Sequence, residues 1–260
     1  SDPLNLSIGI APPPKPAAPT TYGDDVGSIT SLTSTAASTD DTRPAINVGA
    51  GLSDTPALYV DGAKVAATYD SATGTLTPDA PLAEGAHAIS FTLTNASGLE
   101  SAASNPLALT VDTTAPATPA APASYGDDVG GVLGATSTAA ATDDTRPALN
   151  VGKGLTDTPA LYVDGVKVAA TYDSAAGTLT PDAPLAEGAH ALTVTLTDAA
   201  GNESAASPAL ALSIDATAPT GLSIDNVAGA DNTINAAEAA STTLTGKAEP
   251  GATVTLSFGG

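Results

Sequence analysis

No cysteine, methionine or tryptophan occurs in the 260 residues. Without thiols the chain can form neither a disulfide nor a thiolate metal site, so its modules must be held by core packing, hydrogen bonds or an oxygen-ligated metal. Aromatic residues are scarce, with six tyrosines and two phenylalanines, so each core is expected to be thin. Basic residues are scarce too: seven Lys and Arg stand against 28 Asp and Glu, a formal net charge of −21. That field repels nucleic acid and anionic membranes, and cation binding is its natural compensation. No apolar run approaches the ~20 residues that span a bilayer, and no segment resembles a signal peptide. Neither nucleic acid nor membrane insertion is expected, and the chain is expected to be monomeric.

What is present is repetition. Tyr22-Gly23-Asp24-Asp25-Val26-Gly27 returns as Tyr125-Gly126-Asp127-Asp128-Val129-Gly130, an offset of 103 residues. The same offset carries Asp40-Asp41-Thr42-Arg43-Pro44 onto Asp143-Asp144-Thr145-Arg146-Pro147 without a gap. A period of this length implies independently folding modules in series, each packing against its neighbours in the chain. The expected units are repeat one at 12–113 and repeat two at 114–216. Residues 1–11 are expected to be the last strand or linker of a preceding repeat, since Pro3–Ile8 matches Pro106–Val111. Gly9 stands there in place of Asp112. Residues 217–260 begin a third repeat, so the chain reads as an excerpt of a longer array.

Period-two alternation dominates, as in Ala191–Thr197, where Leu192, Val194 and Leu196 share one face. In repeat two the predicted strands are Ala117–Ser124, Arg146–Gly152, Ala160–Val163, Lys167–Tyr172, Gly177–Thr180, His190–Thr197 and Ala209–Ile214. Asp164-Gly165 and Asp61-Gly62 mark two-residue hairpins. About seven short strands in about a hundred residues point to an all-β chain of tandem immunoglobulin-like sandwiches.

Paired aspartates recur between the first two predicted strands. Asp24-Asp25 and Asp40-Asp41 fall there in repeat one, Asp127-Asp128 and Asp143-Asp144 in repeat two. Like charge this dense is unfavourable without a counterion. Calcium takes six to eight oxygens at ~2.3 to 2.6 Å in irregular geometry, which suits several loops better than magnesium, which keeps its waters. Sandwich topology places this connection at the pole where the last strand leaves, near Asp112. The last hairpin loop of repeat two, Asp198–Ser204, faces it across the linker. The expected calcium cluster at the first junction is Asp24, Asp25, Asp40, Asp41, Asp112, Asp198 and Asn202; the second offers Asp127, Asp128, Asp143, Asp144 and Asp215. In the third repeat Asp225, Asn226, Asp231, Asn232, Asn235 and Glu238 form the equivalent oxygen-rich stretch, with Asn235 alternatively capping a helical turn. The competing reading of all these aspartates is turn chemistry and solvated surface.

Arg43 and Arg146 lie between acidic pairs and a proline, and a structural ion pair is their expected role. His87 and His190 occupy one repeat position on different modules, so they cannot share a catalytic or zinc site, and no nucleophile, base and orienter stand beside them. The triplets at Asn95 and Asn202 match a glycosylation pattern short enough to arise by chance.

Val111–Pro116, Gly126–Gly130, Thr142–Pro147, Leu196–Ser204 and Ala248–Thr255 together resemble the bacterial Ig-like repeats of giant biofilm-associated and RTX-type surface adhesins, secreted by type I systems. The resemblance implies non-enzymatic extender modules on the outside of a bacterial cell, stiffened by calcium at their linkers and projecting a distal adhesive domain. Gly9, and Asn95 and Leu99 in the upstream-facing loop of repeat one, depart from the pattern. An alternative is that the modules themselves bind carbohydrate or a host protein through Tyr59, Tyr69, Tyr162 and Tyr172. A third is an accessory region of a secreted polysaccharide hydrolase.

Overall fold

A computed structural model describes residues 11–131, 133–227, 234–237, 243–250 and 252–257. The terminal segment Pro3–Ile8, Gly9, Asp231, Asn232 and Glu238 lie outside these residues. The first module contains β1 Tyr22–Asp24, β2 Ser31–Ser34, β3 Ser38–Thr39, β4 Ala45–Asn47, β5 Thr55–Val60, β6 Ala63–Val65, β7 Ala67–Asp70, β8 Thr75–Pro78, β9 Gly85–Thr94 and β10 Leu107–Val111. The second repeats them as β11 Tyr125–Asp127, β12 Gly134–Ser137, β13 Ala141–Thr142, β14 Ala148–Asn150, β15 Thr158–Val163, β16 Val166–Val168, β17 Ala170–Asp173, β18 Thr178–Pro181, β19 Gly188–Thr197 and β20 Leu210–Ile214. Strands β21 Ser223–Val227 and β22 Leu244–Lys247 pair antiparallel in the third segment.

Each module is a sandwich of two five-stranded sheets, ordered β2-β1-β4-β8-β7 and β3-β10-β9-β5-β6 in the first. The expected all-β tandem sandwich is therefore what forms. Inward-facing residues of the two sheets make each core: Tyr22, Ile46, Leu58, Leu76, Ile89, Phe91 and Leu109 in module one, and Tyr125, Leu149, Leu161, Leu179, Leu192, Val194 and Leu212 in module two. Tyr22 is buried because its hydroxyl donates to the Ala36 and Ser38 carbonyls, and Tyr125 repeats this at Ala139 and Ala141. A phenolic body fills the sandwich while its polar tip is satisfied. The exchange of Phe91 for Val194 leaves a roomier cleft under the proline-alanine segment, about 350 Å³ in module two against 250 Å³ in module one.

Three strand expectations need correction. Residues 117–124 form no strand: Pro119 and Pro122 lack the N–H a ladder needs, and the first strand begins at Tyr125. The connection that follows is not a loop but carries β12 and β13. The run Lys167–Tyr172 is two strands, β16 in one sheet and β17 in the other, with Ala169 at the crossover. The two-residue hairpins do form. Asp61 and Gly62 take φ of 53° and 79°, the left-handed pair of a type I′ turn.

Candidate cation site and module junction

Topology carries the aspartates to one pole. Strand β3 changes sheet and runs parallel to β10, pairing Ser38 with Thr110 and Thr39 with Val111. The residues that leave these two strands, Asp40 and Asp112, therefore emerge side by side, and Asp112 N–H donates to the Thr39 carbonyl at 2.9 Å.

The carboxylates then divide by role. Asp24 accepts the Thr39 hydroxyl at 2.6 Å and the Val26 amide at 3.2 Å. Asp41 accepts the Arg43 amide at 2.7 Å. Both are buried and spent on local donors. Asp25 is exposed. Asp40 differs: it is only 8% exposed, and its Oδ1 is the one buried side-chain oxygen without a hydrogen-bond partner among the described residues. Burial pushes its carboxyl above the ordinary carboxylate range, and Asp24, Asp198 and Asp41 push the same way. Burial also raises Asp41, with Asp25 and Asp24 adding to it. A buried anion facing other anions is a costly arrangement that protonation or a cation would relieve.

Gly27 shapes the cradle. Its φ is +68°, and a Cβ there would lie 1.8 Å from Asp40 Oδ2, so only glycine lets the carboxylate fold over the turn. Gly130 and Asp143 reproduce this in module two, with φ +73° and the same 1.8 Å. Each module builds the cradle by itself.

The loop from module two closes over the first cradle. Asp198 Oδ1 accepts the amides of Ala200, Gly201 and Asn202 at 2.9 to 3.0 Å, which folds the loop back on its first residue. Ala200 O then accepts Asp40 N–H at 3.0 Å, and Gly201 O accepts both the Ser28 amide and the Ser28 hydroxyl, the latter at 2.8 Å. Asn202 Nδ2 donates to the Asp112 carbonyl at 2.7 Å. The structure thus gathers Asp24, Asp40, Asp41, Asp112, Asp198 and Asn202 at one junction, with Asp25 at its rim.

In module two Asp127 accepts the Thr142 hydroxyl at 2.7 Å and Asp144 the Arg146 amide at 2.7 Å. Burial raises the Asp144 carboxyl. Asp143 is half-buried, and Asp128 and Asp215 are exposed. In the third segment Asn235 Oδ1 accepts the Ala237 amide at 3.0 Å, a local turn contact.

Arg43 and Arg146 are not ion-paired among the described residues. Their Nε atoms donate to the Pro78 and Pro181 carbonyls at 3.1 and 3.0 Å, bracing the loop against β8 and β18. Glu84 carries a role that no motif marked: its two oxygens accept the hydroxyls of Thr113 and Thr114, both at 2.6 Å, fastening the linker to module one. The signal was there in the Glu-Gly-Ala-His repeat and the threonine pair, but nothing local tied them together.

A family model for the bacterial Ig-like domain matches residues 16–113 and 125–216. The chain belongs to the bacterial Ig-like domain family. Two copies of the domain therefore stand in tandem. A comparison with curated proteins finds no match. Among solved structures these Ig-like domains are similar to the fibronectin(III)-like modules of CbhA from Clostridium thermocellum, at 12% identity over 80% of this chain and 91% of that one, TM-score 0.32. They are also similar to SGBP-B of the mixed-linkage glucan utilization locus of Bacteroides ovatus, solved with a mixed-linkage heptasaccharide, at 16% identity over 73% and 45%, TM-score 0.24. A third is the central fibronectin-III array of RIM-binding protein, at 12% over 79% and 74%, TM-score 0.21.

The tyrosines weighed as a binding surface on the Ig-like domains have structural partners. Tyr59 and Tyr162 donate to Glu100 and Glu203 at 2.9 and 2.8 Å, with Lys64 and Lys167 over their rings. Tyr69 and Tyr172 donate to the Gly49 and Gly152 carbonyls at 2.7 and 2.8 Å.

Proposed function

We propose that this chain is an extender segment of a large bacterial cell-surface adhesin. Calcium at its interdomain linkers stiffens the array, which projects a distal adhesive domain for surface attachment or biofilm formation. The setting is extracellular, where a site of ~10⁻⁴ to 10⁻³ M affinity is filled at millimolar calcium.

One observation carries the reading: Asp40 Oδ1 is buried, unpartnered and surrounded by carboxylates at the junction of two modules. The donors are all oxygen, which fits a hard cation. Among the described residues no three His, Cys, Asp or Glu side chains group closely enough to hold a metal ion by themselves, and Asp24 and Asp41 already serve local donors. Asp40 would therefore be the principal carboxylate ligand, with neighbouring carbonyls and water completing the shell and Asp24, Asp198 and Asp41 supplying field. Asp143 is the corresponding group at the second junction. Calcium would supply neutralisation: it would cancel the repulsion that burial imposes and bind the linker to both modules.

Small-angle scattering in millimolar calcium and again in excess chelator, with calorimetric titration of calcium, tests this. The reading expects measurable binding and a maximum dimension that is fixed with calcium and broader without it. Superimposable curves and no heat of binding would make the aspartates turn and surface residues.

A further inference from the structure

Beyond the cation, the junction holds a second device that does not depend on it. The chain contains its own comparison, because the same loop occurs twice. In module two it reads Asp198-Ala199-Ala200-Gly201-Asn202-Glu203; in module one, Asn95-Ala96-Ser97-Gly98-Leu99-Glu100. Ala200 is 2% exposed and Gly201 is buried, because their carbonyls accept the Asp40 and Ser28 amides of module one. The backbone differs too, since Gly201 adopts φ +107° and Gly98 +79°.

The receiving surface also occurs twice. In module one it is Gly27, Ser28, Asp40 and the linker carbonyl of Asp112. In module two it is Gly130, Gly131, Asp143 and Asp215. The cradles match, as the common 1.8 Å approach shows, but glycine replaces Ser28, so the hydroxyl donor to the loop carbonyl is missing. Ala216 likewise replaces Thr113, and Glu187 there accepts the Ala216 amide at 3.0 Å rather than a threonine hydroxyl at that position.

We infer that Gly27, Ser28, Asp40 and Asp112 form a docking seat whose partner is a neighbouring module's loop of Asp-x-Ala-Gly-Asn chemistry, and that this pair latches the junction without a metal. The loop's aspartate rigidifies it, its alanine is buried, its glycine frees a carbonyl for Ser28, and its asparagine reaches the linker. The contacts that cross the junction join amide, hydroxyl and carboxamide donors to carbonyl oxygens. Such bonds between neutral groups neither need a cation nor weaken with salt as ion pairs do. In module one Asn95 folds its loop in a related way, its Oδ1 accepting the Ser97 and Leu99 amides at 3.0 Å, and its own Nδ2 donates to the Ala11 carbonyl at 3.0 Å; Leu99 has no carboxamide to match that of Asn202. The seat of module two accepts the same class of loop with one donor fewer.

The chain has no cysteine, so Ala72→Cys and Ala175→Cys, at exposed turns outside the junction, place one spin label on each module. Pulsed dipolar spectroscopy then reads the distance distribution in excess chelator, for the parent and for Ser28→Gly with Asn202→Leu. These replacements are the residues the chain itself carries at the corresponding repeat positions, so both modules should keep their β-sheet circular dichroism. In chelator the latch expects a narrower distribution for the parent than for the double variant, each lost bond shifting the open-to-latched ratio roughly fivefold, and the proposed function expects calcium to narrow the parent further. A parent that is broad in chelator and narrows only with calcium overturns the latch and leaves the calcium reading standing. A double variant as narrow as the parent overturns the latch as well. A narrow parent, a broad variant and no calcium binding by calorimetry would establish the latch and remove the metal.

Discussion

Gly27 and Gly130 are where a single methyl group has most to disturb. Both hold positive φ, and both leave no room for Cβ beside an aspartate carboxylate. Gly130→Ala should destabilise module two by about 1 to 3 kcal/mol, read as a lowered urea midpoint; an unchanged midpoint would mean that Asp143 swings aside freely. The histidines make a different point. His87 sets Nε2 against the Ala83 carbonyl and Nδ1 against Asp61, both at 2.8 Å, and His190 repeats this with Ala186 and Asp164. Two acceptors want two donors, so the imidazolium is favoured. The Ala83 carbonyl and then Asp61 raise the His87 pKa; Asp164 and then the Ala186 carbonyl raise that of His190. With the folded value above the unfolded one, the clip's stabilisation is complete below the ordinary imidazole range and fades as pH rises through the raised pKa. Proton NMR titration should give midpoints above that of an unstructured histidine, and a midpoint at or below it would refute the clip.

At the scale of the element, the parallel pairing of β3 with β10 does most to place chemistry. It turns two acidic segments distant in sequence into neighbours and leaves Asp40 buried without a donor. Asp40, Asp41 and Asp144 all have carboxyls raised chiefly by burial. They bind protons more tightly folded than unfolded, so their ionisation costs stability above the raised pKa, and that cost is relieved as pH falls through it. Asp40→Asn removes the charge while keeping the shape. It should raise the melting temperature in chelator and abolish the further rise produced by calcium, both visible by differential scanning calorimetry. A variant that melts lower than the parent in chelator would show that the carboxylate is stabilising as it stands. The paired aspartates themselves were legible from their repetition. Which of them is spent on Thr39 or Arg43, and which is left over, was not, because that depends on hydroxyls and amides brought in by the fold.

Taken whole, the molecule is an array in which each module owns its core. Leu149 is fully buried in module two alone, and Leu149→Ala should cost that module about 2 to 5 kcal/mol. Thermal unfolding should then separate into two transitions, the upper one belonging to module one; a single shared transition would mean that the junction couples the modules into one cooperative unit. The net charge of −21 acts at this scale as well, as a repulsion between like-charged modules.

The amino-acid order alone determined the repeat, the alternation and the hairpin turns, and hence an all-β tandem of sandwiches, because these depend on residues a few positions apart and on identity at a fixed offset. It also marked the acidic pairs. Tertiary structure decided the rest. The change of sheet at β3, the splitting of Lys167–Tyr172 between two sheets and the turning of Arg43 towards a proline carbonyl follow from packing two sheets face to face. The closing of the Asp198 loop over Asp40 depends on a neighbouring module being in place, and a carboxylate becomes costly only when the fold has removed the water around it.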